Sequence, residues 1–536
     1  MSLWELLLAG LALLVASALF IALSTFNHWR KVKHIPGSWQ PLHLFHKTPF
    51  LSPYLYWGCH DDVLQLRKIM GDPKTHTLRM SLWSHNSVSI CDKDLLKEVM
   101  VIKSHDFIKQ KKIYDLFNTF GENILSALEI QGDNWKRHHR VASGTFSTKN
   151  LEYMSQVAVN SVDLVRSAKW DKDLEQAFKK GKKGILLDAN ADFSDVTLDV
   201  LGKAGFGLDF SIFDGVNPEG KVFRRSLEFM LSTGVMWGFL FTNLYPALSF
   251  LLPLVNKLTG VEKAVQVVSS TLDRIIAERR KELELNAAVN SEFSADSTEE
   301  RRDLLSVVVE ANREQKGILT DQELKSDAYV FSLAGHETTA TAMQWCVYEL
   351  GKRPEIQQRA REEVDRILGK GPNARKPYFD DYSQLHYVNA VLMETLRLHP
   401  PVMGVFRAAR KNTTIGPYSI PAGTTVAMDI YSANRSEKNW ESPLEFKPER
   451  FPLDADSQLK IQHDFTWIPF SMGNRKCIGY KFALIEACMI LSRMLQFYEL
   501  ELLNDESNPK DRVTDIPGVT VRPGNLKVLL KPRRDL

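Results

Sequence analysis

The sequence predicts a mostly α-helical body with a minor β part, one large unit behind a single amino-terminal transmembrane helix. Three observations predict it. The amino end is a long apolar run, apolar positions keep helical spacing to about residue 400, and a short alternating segment follows near residues 413–428. Charged residues make up 25% of the 536 and hydrophobic residues 44%, which is globular composition and excludes disorder. The net charge of +3 is the surplus of 68 basic over 65 acidic residues. Without a larger basic excess or a basic tail, a nucleic-acid partner is not expected. Cys59, Cys91, Cys346, Cys477 and Cys488 are few, odd in number and far apart. They argue against a disulfide framework or a zinc ribbon and suit a reducing compartment.

Residues 6–23 are apolar or small throughout, and Leu3 and Trp4 extend the run. About 20 helical residues cross a bilayer core of ~30 Å. A cleaved signal peptide would need a basic leader and a shorter apolar core. Here Glu5 is acidic, so an uncleaved anchor over residues 3–25 fits better. Arg30, Lys31 and Lys33 follow at once, which keeps the rest of the chain on the cytoplasmic side. Ile35-Pro36-Gly37 then breaks the helix. Residues 26–37 read as a basic, Pro-Gly linker and 38–536 as the body. On the cytoplasmic side the glycosylation sequons at Asn412 and Asn434 are chance matches.

Within the body a helix opens at Pro354, a favoured first-turn residue, and stops before Gly369. Ile356, Ala360, Val364, Ile367 and Leu368 keep its spacing. Residues 322–350 and 480–497 also read as helical, and the polar stretch 286–300 as a loop. Gly416, Pro417, Pro421 and Gly423 punctuate the alternating segment as turn residues. Little β is expected elsewhere. Residues 229–256 carry no charge. Asn243, Pro246 and Pro253 interrupt them, so a buried or membrane-dipping helix pair fits better than a second span. The order Gly202-Lys203-Ala204-Gly205-Phe206-Gly207 is wrong for a dinucleotide loop. With no flavin or nicotinamide domain visible, any electrons must come from another protein.

Two segments carry chemistry. The first is Phe470-Ser471-Met472-Gly473-Asn474-Arg475-Lys476-Cys477-Ile478-Gly479. Two glycines bracket the cysteine, so the backbone can turn tightly and approach a flat ligand. Arg475 and Lys476 favour thiolate over thiol, and the helix that follows offers backbone N–H groups to a sulfur anion. The second is Ala334-Gly335-His336-Glu337-Thr338-Thr339, inside the helical stretch. His-Glu opens a zinc-protease signature, but the fifth place is Ala340, so two imidazoles cannot share a face. What remains is an acid and a hydroxyl beside small residues that leave room next to the helix.

The pattern Phe-x-x-Gly-x-Arg-x-Cys-x-Gly is long and specific, and through it the chain resembles the cytochrome P-450 family from Pro36 onward. The apolar amino end is similar to that of microsomal eukaryotic members. The resemblance implies that Cys477 is the axial thiolate of a haem b iron, with Phe470 and Gly479 beside it. Ala334, Glu337 and Thr338 would lie over the other haem face. There Thr338 would hydrogen-bond the dioxygen substrate or a nearby water, and Glu337 would relay protons. Glu394-Thr395-Leu396-Arg397 and Phe446-Lys447-Pro448-Glu449-Arg450-Phe451 supply Glu394, Arg397 and Arg450 for a buried structural network. Candidates for the two haem propionates are Arg475, Arg407 and the indole of Trp135. The family pattern places an arginine four residues after this tryptophan. Here that place is His139, followed by Arg140, and the choice between them stays open.

The implied activity is that of a monooxygenase on the endoplasmic reticulum membrane. Electrons would come from NADPH through a separate reductase, with cytochrome b5 as a further donor. Lys136, Arg137 and Lys481 are expected on the docking face. A haem-thiolate isomerase or dehydratase, and a non-catalytic haem- or lipid-binding protein, are the alternatives; neither explains the Glu337–Thr338 pair. Residues 107–125, 229–244, 330–334, 402–406 and 518–521 are the expected pocket walls. Their apolar character predicts a lipophilic substrate.

Overall fold

A computed structural model describes residues 29–39, 61–82, 85–128, 134–213, 219–244, 246–290, 303–314, 318–371, 374–461, 463–516 and 518–533, with single positions between 19 and 27. The anchor expected at residues 3–25 lies almost entirely outside the described residues. Among those described, no helix is long and apolar enough to cross a membrane.

Thirteen short strands are described. They are β1 (Gly37–Trp39), β2 (Leu78–Leu82), β3 (His85–Ile90), β4 (Phe107–Lys109), β5 (Ile185–Leu187), β6 (Gly404–Ala409), β7 (Thr413–Ile415), β8 (Tyr418–Ile420), β9 (Thr425–Asp429), β10 (Tyr498–Leu502), β11 (Thr514–Ile516), β12 (Arg522–Gly524) and β13 (Val528–Pro532). The helices that position the site are α1 (Asn134–Ser143), α2 (Thr148–Val165), α3 (Ala189–Val200), α4 (Glu219–Phe229), α5 (Val261–Asn290), α6 (Leu304–Glu314), α7 (Asp321–Lys352), α8 (Pro354–Leu368), α9 (His386–Leu398) and α10 (Tyr480–Phe497).

Helix α7 runs through the middle. It packs on α3, α9, α10 and β10, while α2 packs on both α3 and α10. Thr320 caps it: its Oγ1 accepts the Glu323 N–H, and the Glu323 carboxylate accepts the Thr320 N–H, a reciprocal capping box that satisfies two orphan donors. Pro354 starts α8 and Gly369, at φ 85°, follows its end, as the sequence predicts. Helix α10 matches its expected span.

The β part departs from expectation. One six-stranded sheet has the order β1-β2-β3-β9-β6-β4 and draws four strands from before residue 110. Most are three to six residues long, and β3 reads His-Asn-Ser-Val-Ser-Ile, too polar to announce itself. Its parallel partner β9 lies far along the chain, with Ser87 opposite Thr425 and Ile90 opposite Met428. The segment expected as a linker is also partly built into the body. Val32 and Ile35 are fully buried, in one cluster with Val88, Ile90 and Val426. Helix α5 extends to Asn290, into the stretch expected to be a loop. Residues 229–244 continue α4 without a break as α- and π-helical turns, and residues 246–259 are helical again. Leu240 and Phe241 are buried there, whereas Phe250 is 72% and, in the following turn, Leu258 is 77% exposed.

Candidate functional site

The Cys477 loop is shaped by backbone demands. Gly473 has φ +71°, and a Cβ there would stand 2.3 Å from the Met100 carbonyl oxygen, so a side chain is excluded. The Cys477 N–H donates to the Phe470 carbonyl at 2.9 Å, which closes the loop. The sulfur sits just before α10 and faces a cavity of about 420 Å³. Burial pushes the thiol up, and the Gly479 N–H and the Lys476 charge oppose that shift. Gly479 also lines the cavity. The nearest atom a Cβ would meet there is a Phe146 ring carbon at 3.7 Å. The protein itself therefore does not require glycine at this position; a side chain would only take space beside the sulfur.

Helix α7 lines the same cavity. Ala334, Gly335, Glu337 and Thr338 all line it. The Thr338 hydroxyl donates to the Ala334 carbonyl one turn back, at 2.7 Å. Its oxygen keeps lone pairs to accept a further bond. Glu337 Oε1 accepts the Thr520 hydroxyl at 2.7 Å, while Oε2 is buried with no hydrogen-bond partner. The cavity thus has a thiol on one side and an acid–hydroxyl pair on another. Phe331, Val402, Phe406 and Val519 are among its apolar walls.

Trp135 and His139 line the same cavity from α1, their ring centroids 4.8 Å apart. Arg475 lies over the Trp135 ring at 4.5 Å and donates to the carbonyls of Ile124 and Ala127. Burial lowers the His139 pKa and the Arg475 charge lowers it further, so the imidazole is neutral at neutral pH. Of the two residues left open, His139 is on the cavity wall and Arg140 is exposed and does not line it. Arg407 is buried in β6 and is not among the lining residues. Its register partner in β4, Lys109, lines the wall instead. The Lys109 ammonium sits 3.7 Å from the Tyr114 ring centroid. Tyr114 also feels the charges of Arg407 and Arg475, although burial outweighs them and raises its pKa.

Glu394, Arg397 and Arg450 come together as expected. Arg397 donates Nε to Glu394 Oε2 at 2.7 Å and a second nitrogen to Oε1 at 2.9 Å. Arg450 Nε reaches Oε1 at 3.0 Å and the Lys447 N–H reaches it at 2.7 Å. Arg397 also donates to the carbonyls of Asn434, Pro443 and Glu445. Arg397 and Glu394 are both fully buried.

The expected docking face needs one correction. Lys136 and Lys481 are exposed, but Arg137 turns to α7, pairing with Glu323 at 2.8 Å and donating to the Ile318 carbonyl. Of the expected walls, four stretches contribute broadly, and 229–244 contributes Leu231 alone.

Sequence reading missed four residues. Lys109 and Tyr114 lay in a stretch taken only as apolar wall, and Thr520 in another. The fourth, Glu486 on α10, is fully buried, and neither carboxylate oxygen has a hydrogen-bond partner. Burial holds its carboxyl well above the usual range. A glutamate inside the apolar stretch from Ala483 to Leu491 was the available signal.

Comparison with known proteins agrees with this geometry. The family model described as cytochrome P-450 matches residues 43–530. Secologanin synthase 2 of Catharanthus roseus is 31% identical over 77% of this chain and 73% of its own length. Cytochrome P-450 4c21 of Blattella germanica is 28% identical, covering 85% of this chain and 86% of its own. Melianol synthase of Azadirachta indica is 28% identical over 96% of this chain and 97% of its own. With the family model spanning nearly all of the described body, and the cysteine loop and the acid–hydroxyl helix facing one cavity, this chain belongs to the cytochrome P-450 family of oxidoreductases.

Proposed function

We propose that the protein is a membrane-anchored haem-thiolate monooxygenase that inserts one oxygen atom of O2 into a lipophilic small molecule. The observation that carries this is the shared cavity, with Cys477 on one side and Glu337 and Thr338 on another. The family implies a haem and electron supply from a reductase. The residues present fit such a group. Cys477 would offer its sulfur to the iron, with the Gly479 N–H to temper its charge, and Gly479 would leave room for a flat macrocycle. Arg475, Trp135, His139 and Lys109 would receive the propionates of haem b, cationic or N–H donors being what carboxylates need. When bound, the haem activates dioxygen with electrons delivered from NADPH through the reductase, its thiolate ligand favouring O–O cleavage.

The chain's own residues do the rest. Apolar walls bind and orient the substrate and exclude water. Thr338, held by its bond to the Ala334 carbonyl, keeps lone pairs on the cavity wall that would accept a further hydrogen bond. Glu337 is tethered by Thr520 through one oxygen, and its free Oε2 can take up a proton and pass it on. Thr338→Ala is expected to leave substrate binding nearly unchanged and to lower product formed per NADPH oxidised, with the balance released as hydrogen peroxide or water. We place the loss of coupling at about 10-fold, less than the roughly 10²–10⁴-fold of a directly positioned acid or base, because water can still deliver protons to the site. A coupling ratio equal to wild type would show that Thr338 only packs.

The endoplasmic reticulum location rests on the apolar amino end and on the exposed Phe250, Leu254 and Leu258. These side chains suit a weak, reversible hold on the bilayer interface, from which a lipophilic substrate could enter. Because Val32 is buried in the body, a truncation should stop at residue 28. The truncated protein is expected to float partly with liposomes, and to lose that on adding Phe250→Asp, Leu254→Asp and Leu258→Asp. Equal flotation of the two folded forms would place this segment away from the membrane.

A further inference from the structure

We propose that Glu122, His138 and Glu323 form a binding site for a divalent transition-metal cation of the zinc class, with Asp327 orienting the histidine. The site is separate from the haem cavity, and none of the four residues lines that cavity.

One ligand atom from each of Glu122, His138 and Glu323 lies within 4.8 Å of the others. They come from three places: the turn before α1, the second turn of α1 and the first turn of α7. The histidine is what makes this more than a patch of acids. His138 is fully buried, and its Nδ1 is 2.7 Å from Asp327 Oδ2. A neutral imidazole donates that N–H to the carboxylate and leaves a lone pair on Nε2. Nε2 is buried without a hydrogen-bond partner and lies 3.8 Å from Glu323 Oε1. A buried imidazole braced by a carboxylate on its far nitrogen is the arrangement that metal-bound histidines use, because it sets ring orientation and raises ligand basicity. One imidazole nitrogen and two carboxylates suit zinc, with water as the fourth ligand. Zinc bonds of about 2.0–2.2 Å would require the three groups to close by roughly 1 Å.

Arg137 is the competitor for the ion. Its guanidinium pairs with Glu323 Oε1 at 2.8 Å and is 29% exposed, so it can swing to solvent when a cation enters. Glu323 Oε2 stays with the Thr320 cap. Asn134 donates to Glu122 Oε2 at 2.8 Å and fixes that carboxylate against the start of α1.

The position gives the ion a consequence. Asp327 Oδ1 also accepts the Ile124 N–H at 2.7 Å, and Ile124 lines the cavity. Arg475 holds the Ile124 and Ala127 carbonyls from the other side. A bound cation would tie this turn to α1 and α7 behind the cavity wall, so zinc would stiffen residues 121–127.

The test is titration of the haem-loaded full-length protein with zinc chloride against a chromophoric chelator. Wild type is expected to bind one equivalent. Glu122→Gln, on a half-buried turn where folding is not at stake, should weaken that equivalent at least 10-fold. Asp327→Asn should weaken it about 10–100-fold, as loss of an outer partner does. Arg137→Gln should tighten it, since the competing cation is gone. Hydrogen exchange of residues 121–127 should slow on adding zinc to wild type and not to Glu122→Gln. No bound equivalent in wild type, or the same affinity in wild type and Glu122→Gln, would overturn the proposal.

Discussion

Replacement of Cys477 by serine is expected to abolish the absorption band that thiolate-ligated haem shows when reduced and bound to carbon monoxide. Most haem retention should go with it. A serine hydroxyl is not ionised at neutral pH and cannot supply the anionic donor that the loop is built to present. The loop itself should survive, because its closure depends on the Phe470 carbonyl and on Gly473, not on sulfur. Losing an outer partner of a metal ligand costs about 10–100-fold in affinity or activity. Loss of the ligand itself therefore takes that range as its floor, and turnover should fall below detection. The checks are the carbon-monoxide difference spectrum and haem per protein after gel filtration. A normal thiolate-type spectrum in the variant would refute the assignment of Cys477.

The second large effect is expected from Glu394→Ala, a residue that does not line the cavity and whose hydrogen-bond partners do not line it either. Glu394 accepts four hydrogen bonds, from two nitrogens of Arg397, from Arg450 and from the Lys447 backbone. Truncation strands a guanidinium that is fully buried. Removing one partner of a buried pair costs about 3–5 kcal/mol, against a total stability of about 5–15 kcal/mol for a typical fold. Arg397 keeps three carbonyl acceptors, which lessens the loss without cancelling the charge. A sharp fall in the urea midpoint and in haem retained on mild heating is expected. Lys68→Ala is the control: its pair with Glu437 is exposed on both sides, and such pairs contribute little. If both variants melt together, the Glu394 network is not what holds this region.

Much of the helical framework was legible because its signals are local. Pro354 and Gly369 bound α8, and apolar positions at helical spacing fill it. The Cys477 loop was legible because its requirements are local too, a turn without side chains and cations beside a sulfur. The strands before residue 110 were not. Each is short, and β3, although it pairs with β2 beside it in the chain, is held into the sheet on its other edge by β9, more than 330 residues later. Half-polar segments of that length carry no periodicity to read.

The sequence by itself determined the family, the cysteine loop and the acid–hydroxyl segment of the helix, since each is a matter of residue type at short spacing; Arg450 joined Glu394 and Arg397 in the reading only through the family resemblance, being 56 residues from Glu394. Only the tertiary structure decided who faces the cavity. It set His139 on the wall and Arg140 in solvent, and it brought Lys109 to the wall beside buried Arg407. It turned Arg137 inward to Glu323 and tied Glu337 to Thr520. The physical reason is the same in each case. A side chain's direction on a helix or strand follows from the register and rotation of the whole element. These are set by packing against segments hundreds of residues away, as Ile124 with Arg475 and Glu337 with Thr520 show.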